Sequence, residues 1–363
     1  MIIKSFCYLY SIINLFLLNI FIFSKKIFYK KKIIFFYHPK ENLTKMHTFY
    51  IEDFLLKFEK NNVFFGGKIL LFKYFYIKES LLSYIYNVDI FVSNNLCDNF
   101  THNSKRVYFH HDIYDTPLVE KKKEKEITKR LSKYDFVLLA STKSKFIFEK
   151  TFFKVKKKPK ILYLGFYPKL NYLLKKKIVR KKIHNNIIIA PTDFYAFPKL
   201  TIQPYLENLI SCLIKNNYTI TYRPHPSNAK EKKVLILVKK FRNVKNFILD
   251  TTPNYFNSYS SSSLMITDIS GTAYTYAFLT KNPVFFYSPN EKIIQKTYYN
   301  NLSYFIDRKK IGKIFSKTKF IITFLQKNKN NKFKKTFKRN IISIYKKHFD
   351  RFDYDIFKKL YEK

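Results

Sequence analysis

Residues 264–273 read Leu264-Met-Ile-Thr-Asp-Ile-Ser-Gly-Thr-Ala273: a short apolar run that passes through Asp268 and Ser270 straight into a helical stretch ending near Thr280. A run without polar alternation is the mark of a strand buried on both faces. A strand that turns at once into a helix is half of a βαβ unit, so this stretch selects a parallel sheet with crossover helices. The same alternation extends in both directions. Expected strands are Ile33–Tyr37, Lys68–Phe72, Asp89–Ser93, Arg106–His110, Phe136–Ala140 and Lys160–Leu164. After the basic stretch Lys175–Lys182 come Asn186–Ala190, Thr219–Arg223, Phe247–Asp250, Leu264–Asp268 and Pro283–Tyr287.

Two α/β sets of similar size predict two Rossmann-like domains facing a cleft, the default place for a ligand in such sheets. The expected organisation is an apolar membrane-associated segment over 1–30, an N-terminal Rossmann-like acceptor domain over 31–174, a C-terminal Rossmann-like nucleotide-donor domain over 175–325, and a basic helical tail over 326–363. The serine run Ser258–Ser263 reads as a flexible loop.

Composition narrows the chemistry. Among 363 residues there are only five glycines, too few and too scattered for a P-loop or a GxGxxG dinucleotide turn. Any phosphate is therefore held by side chains and helix ends. Lys and Arg number 69 against 25 Asp and Glu, a formal charge of +44. That charge is uneven: residues 183–305 carry 13 basic against 6 acidic side chains, net +7, whereas 306–363 carry 19 against 5, net +14. Basic residues concentrated away from the expected site suit docking on an anionic membrane surface rather than a nucleic-acid partner. Cys7, Cys97 and Cys212 are far apart and lack metal-ligand spacing, which argues against a zinc site and a disulfide framework.

The stretch Ser5–Ser24 is uncharged and is followed by Lys25, Lys26, Lys30, Lys31 and Lys32. Twenty helical residues rise about 30 Å, just enough to span a hydrocarbon core. The lysines would keep the following domain in the cytoplasm. The expected location is the cytoplasmic face of the inner (plasma) membrane, held peripherally or by a single N-terminal anchor. A buried first helix is the competing reading, supported by Asn14 and Asn19. The tail from Lys327 onward alternates Phe or Ile with Lys; it reads as an amphipathic helix that lies on a membrane or packs on the first domain.

Three stretches carry candidate chemistry. Tyr222-Arg223-Pro224-His225-Pro226 presents Arg and His at the carboxyl end of a strand, where a guanidinium fork and an imidazole N–H suit phosphate oxygens. Asn228 with Glu231 would cap the following helix. Asp268-Ile-Ser-Gly-Thr272 offers helix-start amides and hydroxyls to an anion, with Ser270 as N-cap. Tyr108-Phe-His-His-Asp-Ile-Tyr-Asp-Thr-Pro117 places His110 and His111 after a strand, where a histidine can act as general base, bind metal with Asp112 and Asp115, or serve structure.

The ordered set H-x-x-x-x-T-P, Gly165-Phe-Tyr-Pro-Lys-Leu-Asn-Tyr-Leu173, R-P-H-P, then D-x-S-G-T with Lys281-Asn-Pro-Val-Phe-Phe-Tyr287 resembles the CDP-glycerol glycerophosphotransferases of teichoic-acid and capsule synthesis, over about residues 105–290. The resemblance implies a GT-B-type fold, transfer of glycerol phosphate from CDP-glycerol, a CDP-activated donor, with release of CMP, and peripheral attachment to the inner membrane face. The expected acceptor is a glycan or polyol phosphate, and no cofactor is expected. The resemblance makes His111 the base, with His110 as the alternative. His225, Arg223, Ser270 and Thr272 fall on the donor phosphates, within a motif that also includes Asp268 and Gly271. The chain departs from the family pattern with Asp112 after His111, where glycine is usual, and with Lys169 and Asn171 where Arg and Asp are usual. Two other readings stand beside it: a GT-B glycosyltransferase using a CMP-sugar such as sialic acid or Kdo, and a non-catalytic polyanion-binding membrane protein.

Overall fold

A computed structural model describes residues 2–30, 32–38, 51–56, 62–67, 75–110, 113–114, 121–152, 155, 157–175, 183, 185–252, 255–299, 302–330, 332–350 and 356–361. The chain divides into two compact units. The first comprises Met1–Asp112, Lys123–Lys169 and Phe352–Lys363, and the second Ile113–Lys122 and Leu170–Arg351.

The first unit is built on seven described parallel strands: β1 (Ile34–His38), β2 (Val63–Gly67), β3 (Phe75–Tyr76), β4 (Ile90–Ser93), β5 (Lys105–Phe109), β6 (Phe136–Leu139) and β7 (Lys160–Tyr163). Their order is β3-β2-β1-β4-β5-β6-β7. β1 and β4 are buried at every position, as expected of apolar runs sandwiched between helices. The expected strand Lys68–Phe72 lies outside the described residues; β2 precedes it. The helix Ile2–Tyr29 packs along the β3 edge.

The second unit holds six described parallel strands, β8 (Asn186–Ile189), β9 (Thr219–Tyr222), β10 (Phe247–Leu249), β11 (Leu264–Thr267), β12 (Val284–Tyr287) and β13 (Gly312–Phe315), in the order β10-β9-β8-β11-β12-β13. The order reverses between β8 and β11, so the carboxyl ends of these strands form the switch point at which such sheets take ligands. The helix Leu206–Lys215 shows how patterning becomes packing: Leu206, Leu209, Ile210 and Leu213, at i, i+3, i+4 and i+7, are its buried stripe against the sheet. β13 was not read from the sequence. Its first residue is Gly312, where a Cβ would stand 1.6 Å from the Val284 carbonyl oxygen, so only glycine lets this edge strand register against β12.

Three expectations are corrected. The serine run is a helix, Phe256–Ser261, whose hydroxyls bond locally: Ser261 Oγ donates to the Ser258 carbonyl, and the flanking Ser262 Oγ to that of Tyr259. Packing of Phe256 and Tyr259 overrides the weak helix preference of serine. The helix after R-P-H-P begins at Lys232, following a 3₁₀ turn over Pro226–Asn228, and neither Asn228 nor Glu231 caps it with its side chain. The basic tail helix, Lys332–Phe349, packs on the second unit through buried Ile341, Ile344 and Phe349, with Phe349 and Tyr345 against Phe278. Its buried apolar side chains thus pack on protein of their own unit.

Candidate functional site

The chemistry-bearing residues of the second unit gather at the carboxyl ends of β9, β10, β8 and β11. Arg223 leaves β9 with its backbone amide bonded to the Ile189 carbonyl, which holds the strand end straight beside β8. Its side chain does not point freely into a phosphate site. Nη1 donates to Asp250 Oδ2 at 2.6 Å and Nη2 to the Thr252 carbonyl at 2.8 Å, with the guanidinium over the Tyr255 ring. The two side chains are 11% and 6% exposed, so this is a largely desolvated pair. Burial alone would raise the Asp250 carboxyl. Hydrogen bonds from Ser258 and Thr252 and the Arg223 charge outweigh it and hold the group below its usual range.

Neutralising Arg223 with Asp250 changes the electrostatic reading of R-P-H-P, because the net attraction for an anion shifts to His225 and the helix start. His225 is half-buried. Its Nδ1 accepts from the Ser227 amide at 3.3 Å, which assigns the proton to Nε2 and makes that nitrogen a donor. Asp193 Oδ2 lies 3.9 Å from Nδ1. Asp193 is itself held below the usual carboxylate range: burial would raise it, but the Asn228 amide, the Tyr195 and Ala196 amides and His225 prevail.

Asp268 is buried, and both its oxygens accept backbone amides: Oδ1 from Thr192 at 2.9 Å and Oδ2 from Ile202 at 3.0 Å. Burial pushes its carboxyl up to about 6 despite those bonds. Its geometry is that of a clasp on the 192–202 loop after β8, and not of a group presented to a ligand. Asn228 works on the same loop, accepting from the Phe194 amide and donating to Asp193. β11, β8 and β9 are thereby stitched together at their ends. A cavity of about 430 Å³ opens beside this loop, lined by Phe194, Pro198, Gln203, Lys233 and Leu237 among others, but Arg223, His225 and Ser270 are not in its walls.

The helix Thr272–Thr280 starts where the motif predicts, but Ser270 is not a side-chain cap. Gly271 occupies the N-cap position in helical conformation, and the Ala273 amide bonds the Ser270 carbonyl. That carbonyl also accepts from the Tyr304 hydroxyl at 3.1 Å. The Thr272 hydroxyl bonds the buried Tyr259 hydroxyl. Residues 273–279 are buried all round, so the helix is fixed in the core and its start is a rigid dipole end. Tyr114 closes one side of it: its ring lies edge-on to Tyr274 at 4.4 Å, and its hydroxyl donates to the fully buried Asp307 at 2.8 Å.

In the first unit, His110 is 2% exposed and packs edge-on against Phe148, with Nδ1 3.4 Å from the Tyr108 hydroxyl. This is a core histidine. His111, Asp112 and Asp115 lie outside the described residues, and with them both the base and the metal reading of that loop. Gly165 adopts φ 72°, the left-handed turn that begins the junction helix Pro168–Lys175. Asp193, Asp250 and Tyr259 escaped the sequence reading, and Asn228 entered it only as an expected helix cap. The only signal for Asp250 was its place at the end of an expected strand beside that of Arg223.

The profile of the CDP-glycerol:poly(glycerophosphate) glycerophosphotransferases matches residues 105–354. A stretch of 106 residues is 35% identical to the minor teichoic acid biosynthesis protein GgaB of Bacillus subtilis (strain 168), covering 29% of this chain and 10% of GgaB. Among solved structures, a wall teichoic acid polymerase TagF superposes with a TM-score of 0.60 at 19% identity, over 89% of this chain and 84% of that one. A glycosyltransferase from Rickettsia africae ESF-5 superposes with a TM-score of 0.51 at 13% identity, over 87% and 94%. These likenesses agree with the two-sheet α/β architecture.

Proposed function

The chain belongs to the CDP-glycerol:poly(glycerophosphate) glycerophosphotransferase family, and from that premise we propose that it transfers glycerol phosphate from CDP-glycerol to a hydroxyl of a polyol-phosphate or glycan acceptor at the cytoplasmic face of the membrane, releasing CMP. The acceptor oxygen forms a bond to the glycerol-bearing phosphorus, and the bond from that phosphorus to the CMP oxygen breaks, its electron pair leaving with CMP. His111 takes the acceptor proton. His225, as Nε2–H donor beside Asp193, and the helix start at Gly271–Thr272 balance the charge on the diphosphate, a mainly electrostatic task. Arg223 and Asp268 act as positioning residues: the first locks β9 to β10, the second clasps the loop that carries Asp193.

What supports this reading is that His225 with Asp193, and the start of the helix Thr272–Thr280, follow the carboxyl ends of β9, β8 and β11, neighbouring strands of one sheet around its switch point. The test is CMP release by the purified full chain supplied with CDP-glycerol and a glycerol-phosphate-primed acceptor, with CDP-ribitol and CMP-sugars in parallel. Release from CDP-glycerol with incorporation of glycerol phosphate supports it. Turnover of a CMP-sugar alone, or none at all, overturns it.

A further inference from the structure

We propose that Tyr304 is a positioning residue for the donor diphosphate: its hydroxyl holds the Ser270 carbonyl so that the Gly271 amide points out of the start of the helix Thr272–Thr280 toward a phosphate oxygen. This rests on the CDP-glycerol reading above, whose phosphate site it shares; Tyr304 sets the shape of that site.

The peptide between Ser270 and Gly271 leads into the N-cap of that helix. A peptide unit is planar and trans, so its carbonyl and its N–H point in opposite directions, and fixing one aims the other. The Ser270 carbonyl accepts from the Ala273 amide at 3.2 Å and from the Tyr304 hydroxyl at 3.1 Å. Ala273 lies in the first turn, so the carbonyl points into the helix and the Gly271 N–H is directed out of its start, among the amides that a helix cannot satisfy internally. That is the direction from which the helix dipole attracts an anion.

The backbone bond alone leaves this peptide loose. Gly271 stands at the N-cap without a Cβ to restrain its dihedrals, and no side chain caps the helix there. A second donor on the Ser270 carbonyl removes the freedom that the glycine leaves.

Tyr304 is built to be that donor. It is fully buried on the helix Ser303–Ile311, with its ring edge-on to Tyr274 at 5.2 Å and to Phe305 at 5.1 Å. The clasp between the two helices is reciprocal: the Tyr274 hydroxyl donates to the Tyr304 carbonyl, while the Tyr304 hydroxyl holds the carbonyl just ahead of the helix that carries Tyr274. One turn on, Arg308 forks onto Glu291, which also accepts from Ser288, and Asp307 receives the Tyr114 hydroxyl and Lys310. A hydroxyl mounted on a helix fixed in this way is pre-organised, and so is the amide it aims, which is the condition for meeting phosphate charge without rearrangement.

The test compares Tyr304→Phe with Tyr276→Phe in the purified full chain, below the unfolding midpoints of all the proteins compared. Both keep a buried ring at the helix Thr272–Thr280; the first loses the hydroxyl on Ser270, the second a hydroxyl bonded to Ser262. Calorimetry measures binding of CDP, and CMP release from CDP-glycerol gives kcat and KM. The diphosphate charge is present before and during transfer, so the loss falls on binding. Tyr304→Phe should weaken CDP binding by about tenfold and raise KM for CDP-glycerol by about as much, with kcat within about twofold, the low end for a lost hydrogen bond to a charged group. Tyr276→Phe should bind CDP as wild type does. CDP binding by Tyr304→Phe within about twofold of wild type overturns the proposal. So does an equal loss in Tyr276→Phe, which means a general loosening of the helix. Should Tyr304→Phe not fold, the wild-type Gly271 amide decides, since glycine labelling with nitrogen-15 reports on only five residues by NMR: a downfield shift on adding CDP supports the proposal, and an unmoved resonance overturns it. If wild type itself binds no CDP, the donor reading falls together with this proposal; if wild type and Tyr304→Phe bind it equally, only the role of Tyr304 falls.

Discussion

Arg223 and Asp250 form a 2.6 Å ion pair across the ends of neighbouring strands β9 and β10, with most of both side chains withdrawn from water. Removing one partner strands the other charge. Arg223→Ala and Asp250→Ala should each cost about 3 kcal/mol of stability, measured by urea unfolding, and a double-mutant cycle should show strong coupling. Because the folded Asp250 carboxyl lies below its unfolded value, its contribution is present above about pH 4 and is lost as pH falls further. Wild type should therefore lose stability on acidification below pH 4 more steeply than Asp250→Ala.

Asp268 has the opposite sign. Its folded carboxyl, raised to about 6, binds a proton more readily than in the unfolded chain. The associated stability is full below about pH 4 and is lost as pH rises through about 6. Asp268→Asn removes this titration and one of two amide acceptors. The variant should be less stable by about 1–3 kcal/mol at pH 5 and should show a flatter stability profile between pH 4 and 6.

His225 and His111 should separate chemistry from folding. His225→Ala removes a partly exposed ring whose Nδ1 accepts a backbone bond from Ser227, so its unfolding midpoint should change little. If His225 carries phosphate charge, kcat for CMP release should fall by about 10²–10³. His111→Ala should fall by about 10²–10⁴, and the rate should lose its dependence on an ionisation near neutral pH. His110→Phe, which replaces a ring packed on Phe148, should retain turnover.

The Tyr114 hydroxyl reaches the buried Asp307. Tyr114→Phe keeps the ring against Tyr274 but withdraws that donor, and should cost about 1–3 kcal/mol by thermal or urea unfolding. A cost near zero would show that Lys310, also bonded to Asp307, supplies the carboxylate's needs alone.

Much of the architecture was legible because its signal is local. Runs such as Ile187-Ile188-Ile189 and Val284–Tyr287 are apolar throughout, and a strand buried on both faces has no other pattern to show. β3, of two residues, and β13, entered through Gly312 and held by register on β12, carry no such pattern and were missed. The serine run misled because serine's preference for loops was outweighed by Phe256 and Tyr259, whose burial depends on residues distant in sequence.

The sequence by itself determined the two parallel-sheet sets, the strand-to-helix turn at Asp268–Thr272, the R-P-H-P strand end and the family to which their order belongs. Each is set by neighbours within a few residues, where backbone propensity and side-chain spacing act. Only the tertiary structure decided what the side chains do there. Arg223 faces Asp250, 27 residues on; Asp268 holds Thr192, 76 residues back; Asp193 comes beside His225. Those partners meet because the strand order β10-β9-β8-β11 brings separate strand ends together. A carboxylate's role is set by which charges and amides burial places around it, and that is a property of the packed chain.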